Sequence, residues 1–372
     1  MMAHLRDNIY IRHADHNELH RKNGTAQAFA QFSKMFFFRL VAATPSGIRG
    51  ESQPFERYGM SKRDIVVVTG GIGPEREGAL VSGDTVASAV AELGHNISVV
   101  DFQSIDDLIT LPKDAIVFPT THGWFGEDGR LQSVLDLQSI HYLGSGVTAS
   151  AICMYKPACL RIADALHIRC PPWTHLSLQA RADEEAARIV TQLGNQLFVK
   201  PSSGGSSLGA TSIDGRDALE AHIRGLRSTD DYIVCRRIVG TDVSVGLLTV
   251  ETQLICLPML ATFHEAEFYD YEVKCNSALH RHECPAPIPN AAKSYMESAA
   301  RRAFEAIPCS GFARADFLVD QSGDPWFLEI NTLPGMSRQG IFATMASASG
   351  LSYTDLVSSM IHSHIPRNGY RP

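Results

Sequence analysis

Residues 64–72, DIVVVTGGI, constrain the fold more than any other stretch of the chain. Four consecutive apolar or β-branched residues with no polar alternation describe a strand covered on both faces, the habit of a parallel sheet. Two glycines then turn the chain, and residues 75–93 place Leu80, Val86, Ala89, Val90 and Leu93 at helical spacing before Gly94 ends the helix. Further strands are expected over 95–101 and 115–119, which makes βαβ organisation and an open α/β sheet with loops at the strand carboxyl ends. The Gly70-Gly71-Ile72-Gly73 loop opens a helix but lacks the GxGxxG spacing, which argues against a dinucleotide. Glu75 in the first helical turn suits an ammonium group better than a phosphate.

Residues 1–59 differ from the rest of the chain. They hold His4, His13, His16 and His20, a Phe36-Phe37-Phe38 run and a Pro/Gly-punctuated tail, and read as an extension of low order ahead of a folded protein that opens at Met60. The apolar patch 35–43 lies too far from the start and contains Arg39, against a secretion signal. A chain of 372 residues is long enough for two or three compact units. Its formal net charge of -7 leaves no electrostatic footprint for nucleic acid or an anionic membrane, and no apolar run approaches a membrane span. The eight cysteines include no CxxC pair and read as reduced thiols of a cytoplasmic protein.

The remaining chain alternates between regular elements and loops that carry chemistry. Residues 121–129, THGWFGEDG, form a glycine-rich loop with His122 and two acids at a strand's carboxyl end. One long helix is expected over 148–167, containing Lys156, and another over 181–193. Residues 197–209, LFVKPSSGGSSLG, read as a strand ending in Lys200, a flexible Gly/Ser flap and a second strand. Backbone N–H groups and hydroxyls of such a flap can fold over a polyphosphate, although a plain linker fits the composition too. Residues 232–234 and 243–249 read as strands with a turn at 240–242, 265–289 as an irregular lid or binding loop, and 291–307 as a helix. The hairpin within 311–336 then sets Arg314 with Asp316, and Glu329 with Asn331, on shared strand faces around a turn at 320–324. Taken alone, it is as well an acidic hairpin facing solvent as a site for a hard cation such as Mg2+. Helices close the chain over 341–362.

Together the motifs GGIGPERE (70–77), THGWFGEDG (121–129), YLGSGVTASAICMYK (142–156), FVKPSSGGSSLG (198–209), FYDYEVK (268–274), GFARADFLV (311–319) and FLEINTLPGM (327–336) resemble the D-alanine–D-alanine ligase family of ATP-grasp enzymes, from about Ile65 to Ile365. The resemblance implies a three-domain α/β fold, α+β in parts, divided after the 1–59 extension into an amino-terminal α/β domain (60–146), a central ATP-grasp subdomain (147–239) and a carboxyl-terminal catalytic domain (240–366). It implies a ligase that spends ATP to join two D-amino acids through an acyl phosphate, in the first instance D-alanyl-D-alanine for peptidoglycan, as a cytoplasmic homodimer.

By the same resemblance, Lys156, Lys200, Ser207, Asp242 and Lys274 bind ATP, with Asp242 on the ribose and Lys274 at the γ-phosphate. Asp316, Glu329 and Asn331 hold two Mg2+ ions, for which Mn2+ can stand in. Arg314 and the Gly335 backbone stabilise the tetrahedral intermediate, and Ser206 lies in the phosphate-covering loop. Glu75 receives the first amino acid's ammonium group and His122 lies near its carboxylate. The departures fall elsewhere: Cys275 stands for a Tyr, Gly340 for a Ser that holds the second substrate, and Cys235 for an acid at the adenine hinge. They motivate the alternative of one mechanism with another acceptor, an amino acid or hydroxy acid, as in resistance or secondary-metabolite ligases. A third reading, an inactive nucleotide-binding module, has no use for an oxyanion arginine.

Overall fold

The computed structural model describes residues 62–363. The amino-terminal extension, read from sequence as one of low order, and the start at Met60 therefore lie outside the described residues. Three sheets follow one another along the chain. In the first, β1 (Asp64–Gly70) pairs in parallel with β2 (Asn96–Phe102) and β3 (Ile116–Pro119), and β3 pairs in parallel with β4 (His141–Tyr142), giving the order β2-β1-β3-β4. The uninterrupted apolar run of β1 is explained by two cores. Ile65 and Val67 face one that also contains Val86, Val90 and the carboxyl-terminal helices, while Val66 and Val68 face another built with Leu108, Leu131 and Leu135. A strand with both faces covered has no polar side to show.

The second sheet, β5-β8-β6-β7, is antiparallel: β5 (Trp173–His175), β8 (Tyr232–Arg236), β6 (Gln196–Pro201) and β7 (Thr211–Asp214). The helices Ala182–Leu193 and Arg216–Gly225 cover one face of it through Ile189, Leu193, Leu219 and Ile223. Leu197 and Val199 of β6 point into that core, so Phe198 and Lys200 project from the opposite face.

The third sheet has the order β12-β11-β9-β13-β14, with β10 (Gln253–Cys256) also on β9. Its members are β9 (Gly240–Val250), β11 (Leu260–His264), β12 (His280–Glu283), β13 (Phe312–Asp320) and β14 (Pro325–Asn331). In β13, Ala313, Ala315, Phe317 and Val319 are buried against the helices Asn290–Ala306 and Lys156–Ala165, and the intervening Arg314, Asp316 and Leu318 face the other way. The expected hairpin is present, with Arg314 opposite Asn331 and Asp316 opposite Glu329 before the register shifts by one residue at Leu328 of β14.

Three expectations need correction. The long helix over 148–167 is two helices, Val147–Met154 and Lys156–Ala165, parted at Tyr155, whose φ of -89° and ψ of 93° are extended. Pro157 has no N–H to give to the carbonyl of Cys153, so it begins a new helix instead of continuing the old one. Residues 240–242 do not turn but open the long strand β9, because Gly240, Thr241 and Asp242 keep register with Asp320, Val319 and Leu318 of β13. The segment 265–289 is not wholly irregular: it holds a short helix, Tyr271–Cys275, started by Asp270 accepting from the N–H of Val273 at 2.8 Å, and the strand β12. No helix among the described residues is long and apolar enough to cross a membrane.

Candidate active site

Between the second and third sheets lies a cleft of about 640 Å³, within the usual size of small-molecule sites. Its wall includes Lys156, Lys200, Asp242, Lys274, Asp316 and Glu329, joined by Ser207 and Arg314. Glu75, His122, Asn331, Gly335 and Gly340 are not part of that wall.

The Gly/Ser flap closes one side. Lys156, at the first position of its helix, donates from its backbone N–H to the carbonyl of Ser202 at 2.8 Å and from Nζ to the carbonyl of Gly204 at 2.5 Å. Tyr155 forms an isolated β-bridge with Ser203, so the break between the two helices is also where the flap is anchored. Ser206 and Ser207 both have left-handed backbones, with φ of 52° and 58°. Two consecutive non-glycine residues in that region carry strain of about 1–2 kcal/mol each. Their hydroxyls hold them there. Ser206 donates to Oε1 of Glu75, and Ser207 donates to the carbonyl of Tyr269 at 3.0 Å while accepting from Nζ of Lys274 at 2.9 Å. The flap, the first sheet's helix and the 268–274 segment are thus tied by two adjacent serines.

Glu329 is the electrostatic centre. Burial raises a carboxyl's pKa, but here Lys156, Lys200, Lys274 and Arg314 together outweigh it and hold Glu329 below the usual range. Burial lowers the pKa of Lys156 and of Lys274, opposed in each case first by Glu329. Around Glu329 the cations outnumber the carboxylates, an excess that suits a polyanion.

Arg314 is engaged on its own strand. Its Nε lies 2.8 Å from Oδ1 and 3.1 Å from Oδ2 of Asp316, and Nη2 lies 2.7 Å from Oδ2. Ser244 on β9 donates to Oδ1 at 2.7 Å. Burial disfavours the guanidinium charge, and Asp316, followed by Glu329, more than restores it. Asn331 accepts from the N–H of Leu333 at 2.8 Å.

Among the described residues no group of three His, Cys, Asp or Glu side chains is arranged for a metal ion. Asp316, Glu329 and Asn331 offer two carboxylates and an amide, the sparse oxygen set that suits Mg2+ shared with phosphates. By residue type the set fits such an ion: Asn331 keeps a second lone pair on Oδ1 beside its bond to Leu333, and Asp316 fits when Arg314 releases at least one of its oxygens.

A second cluster surrounds Glu75, the residue preceding the Arg76–Glu92 helix. Burial, then the charge of Glu127, raises the Glu75 pKa, while Ser206, His122 and Lys274 pull it down. Oε2 of Glu127 accepts from the N–H of Gly123 at 3.0 Å, and its Oε1 lies 3.7 Å from Nδ1 of His122. Nε2 of His122 lies 3.1 Å from Oγ of Ser82, which also accepts from the backbone N–H of Met336 at 3.2 Å. Ser82 therefore joins the first sheet's helix to the turn that carries Gly335. Gly123 has a left-handed φ of 63°, and a Cβ there would lie 1.8 Å from Oε2 of Glu75, so a side chain would displace that carboxylate. Gly335 has open space around its Cα, and a Cβ on Gly340 would meet Oγ of Ser337 at 2.9 Å. Gly340 immediately precedes the Ile341–Ala348 helix and caps it with no side chain. Cys235 is buried in β8 on the cleft wall, and the Cys275 side chain lies outside the described set.

Glu127, Ser82, Ser244, His264 and Arg237 received no role from sequence reasoning. Ser82 had a usable signal, since it follows Glu75 by seven residues and so shares its helix face. Arg237, on the cleft wall, ion-pairs with Asp214 at 2.8 Å and Glu267 at 2.7 Å, contacts across three elements that no local pattern encodes.

Fold and site together define an ATP-grasp architecture: a parallel α/β sheet, then two antiparallel sheets that enclose a lysine-rich cleft. Residues 162–362 match the family model for the D-ala D-ala ligase C-terminus. A D-alanine–D-alanine ligase from Dechloromonas aromatica (strain RCB) is 33% identical over 303 residues, covering 80% of this chain and 96% of that protein. The crystal structure of the D-alanine–D-alanine ligase from Bacillus anthracis superposes with a TM-score of 0.70 at 29% identity, covering 81% of this chain and 97% of that one. The ATP complex of the Bacillus anthracis ligase has the same TM-score at 27% identity, with 82% and 97% covered. The chain belongs to the D-alanine–D-alanine ligase family.

Proposed function

We propose that this protein is an ATP- and Mg2+-dependent ligase that joins two D-alanine molecules. The observation that carries the reading is the gathering of Lys156, Lys200, Lys274 and Arg314 around Glu329, beneath a flap whose Ser206 is bonded to Glu75. A triphosphate at Glu329 would then lie next to an amino acid held by its ammonium group at Glu75. The relatives named D-alanine–D-alanine ligases, one of them solved with ATP, support the same substrates. The three consecutive sheets support a division into domains at 60–146, 147–239 and 240–366. Seven free cysteines among the described residues support a reducing, cytoplasmic setting.

The chain's own groups account for most of the chemistry. Lys156, Lys200 and Lys274 would neutralise phosphate oxygens, and the flap would keep water from an activated carboxyl group. Asp316, Glu329 and Asn331 would hold Mg2+, which supplies charge neutralisation at the transferring phosphoryl group. Arg314 would leave Asp316 to meet the oxyanion formed when the second amine attacks, a donor of the sort worth about 3 kcal/mol. The test is ADP and phosphate release with ATP, Mg2+ and D-alanine, alone and paired with D-serine or D-lactate. Turnover with D-alanine alone, yielding the dipeptide, is expected. Absence of turnover with every pair overturns the ligase reading, and turnover only with a mixed pair overturns the assignment of D-alanine as acceptor.

A further inference from the structure

His264, the last residue of β11, lies in the cleft wall with a side chain only 10% exposed. Both ring nitrogens face acceptors. Nε2 is 3.2 Å from Oδ2 of Asp242 on β9, and Nδ1 is 3.0 Å from the carbonyl oxygen of Ala266. A neutral imidazole carries one N–H and can satisfy one of these; only the imidazolium donates to both. The ring stacks on Tyr269, centroids 5.6 Å apart and planes 17° from parallel, which fixes the orientation in which both bonds form.

The other groups packed around it leave that charge in place. Asp270 and Asp242 favour it. Lys274 sits over the Tyr269 ring at 5.2 Å and bonds to Ser207. His280, opposite His264 in the β11–β12 register, meets Tyr269 edge-on and faces the carbonyl oxygen of Val273 with Nδ1 at 2.7 Å. Burial lowers the pKa of His282, two residues on, to about 4, so it stays neutral. Burial also opposes the charge on His264, but the bond to Asp242 is the larger influence and raises its pKa above the ordinary 6.5.

We infer that His264 is a positioning residue for the nucleotide: protonated, it clamps Asp242 through Oδ2 and turns Oδ1 toward the ribose hydroxyls of ATP. The inference rests on the ATP-binding reading above and deepens it. Among the described residues nothing is hydrogen-bonded to Oδ1 of Asp242, which leaves an acceptor for a vicinal diol. When the imidazole loses its proton it keeps one of its two bonds, the ring is free to favour Ala266, and the carboxylate loses its fixed orientation. Nucleotide affinity should therefore fall as pH rises through the His264 pKa, and only for nucleotides that carry the hydroxyls.

The test is calorimetric binding of ATP with Mg2+, no amino acid present, to the full chain from pH 6 to 8.5. The wild-type dissociation constant should rise about five- to tenfold over that range, as loss of one charge-assisted bond implies, with proton uptake on binding at the upper end. His264→Gln keeps a donor to Asp242 but does not titrate, so its profile should be flat. His264→Phe keeps the stack on Tyr269 and should bind weakly at every pH. Wild-type binding of 2′,3′-dideoxy-ATP should be weaker and independent of pH. A Gln variant that keeps the wild-type slope, or a dideoxy nucleotide that shows it, overturns the inference. Because ligation is not required, pH-dependent ATP binding without dipeptide formation would sink the proposed function and leave this inference standing. Normal ligation with a flat wild-type profile would do the reverse.

Discussion

At the scale of single residues, the site is a set of charges placed where water would otherwise stabilise them. Glu75 carries a penalty of this kind, since burial and Glu127 raise its pKa above that of an ordinary glutamate. A carboxyl whose folded pKa exceeds its unfolded one destabilises the fold once ionised, and the penalty disappears as pH falls below the unfolded value. Glu75→Gln should therefore melt about 1–3 °C higher than wild type at pH 7, with the two curves converging below pH 4.5, while ligation is lost. A lower melting temperature for the variant at neutral pH would contradict such a penalty. Glu329 poses the opposite case, being held ionised by four cations. Glu329→Gln should reduce turnover by about 10²-fold or more, measured as ADP release at saturating ATP. Gly123→Ala should impair use of the first amino acid, because the new methyl group and Glu75 would compete for one volume; an unchanged KM for that substrate would show that the loop yields.

At the scale of elements, the lid is held by contacts at both ends of one short stretch. Ser207 meets Lys274 and the Tyr269 carbonyl at one end, and Arg237 meets Glu267 at the other. The Arg237 side chain is largely covered, but its partners Asp214 and Glu267 are mostly exposed, so each pair is worth at most about 1 kcal/mol. Glu267→Gln should raise KM for ATP by about two- to fivefold and leave kcat alone, and the difference from wild type should vanish in high salt. A fall in kcat with KM unchanged would place the clasp in the chemical step instead.

These elements also show what was legible in the sequence. Period-two alternation revealed β13 and β14 and the shared face of Arg314 and Asp316, and the apolar run of β1 revealed a doubly covered strand. Glycine and serine revealed the flap. The break at Tyr155 was masked by apolar spacing that runs on through both helices, although Pro157 was the mark of it. The Arg314–Asp316 pair, the Ser82 bridge to Met336 and the Asp242–His264 pair were beyond reach for a different reason. The first turns on the rotamers that two residues of one strand adopt, and the others on distances between a helix and a remote turn or between neighbouring strands, none of which sequence spacing encodes.

At the scale of the whole molecule, the cleft is built from parts that lie far apart in sequence. Lys200 comes from the second sheet, Asp242, Arg314, Asp316 and Glu329 from the third, and the flap reaches Glu75 beside the first. A nucleotide bound there touches groups from two sheets at once, so binding should stabilise the chain as one unit. At 100 times its dissociation constant a ligand of the native state adds about 2.7 kcal/mol. That corresponds to a rise of about 4 °C in melting temperature for a chain of this length unfolding as one unit. ATP with Mg2+ should produce such a shift, and chelation with EDTA should remove most of it, because phosphates beside Glu329 would then lack their counter-ion. Glu329→Gln separates the metal's share from that of the lysines. If Lys156, Lys200 and Lys274 bind the phosphates by themselves, the variant should show nearly the same small shift with and without EDTA, equal to that of chelated wild type. A full metal-dependent shift in the variant would mean that the ion is held elsewhere, and would remove Glu329 from the metal site while leaving its place among the lysines intact.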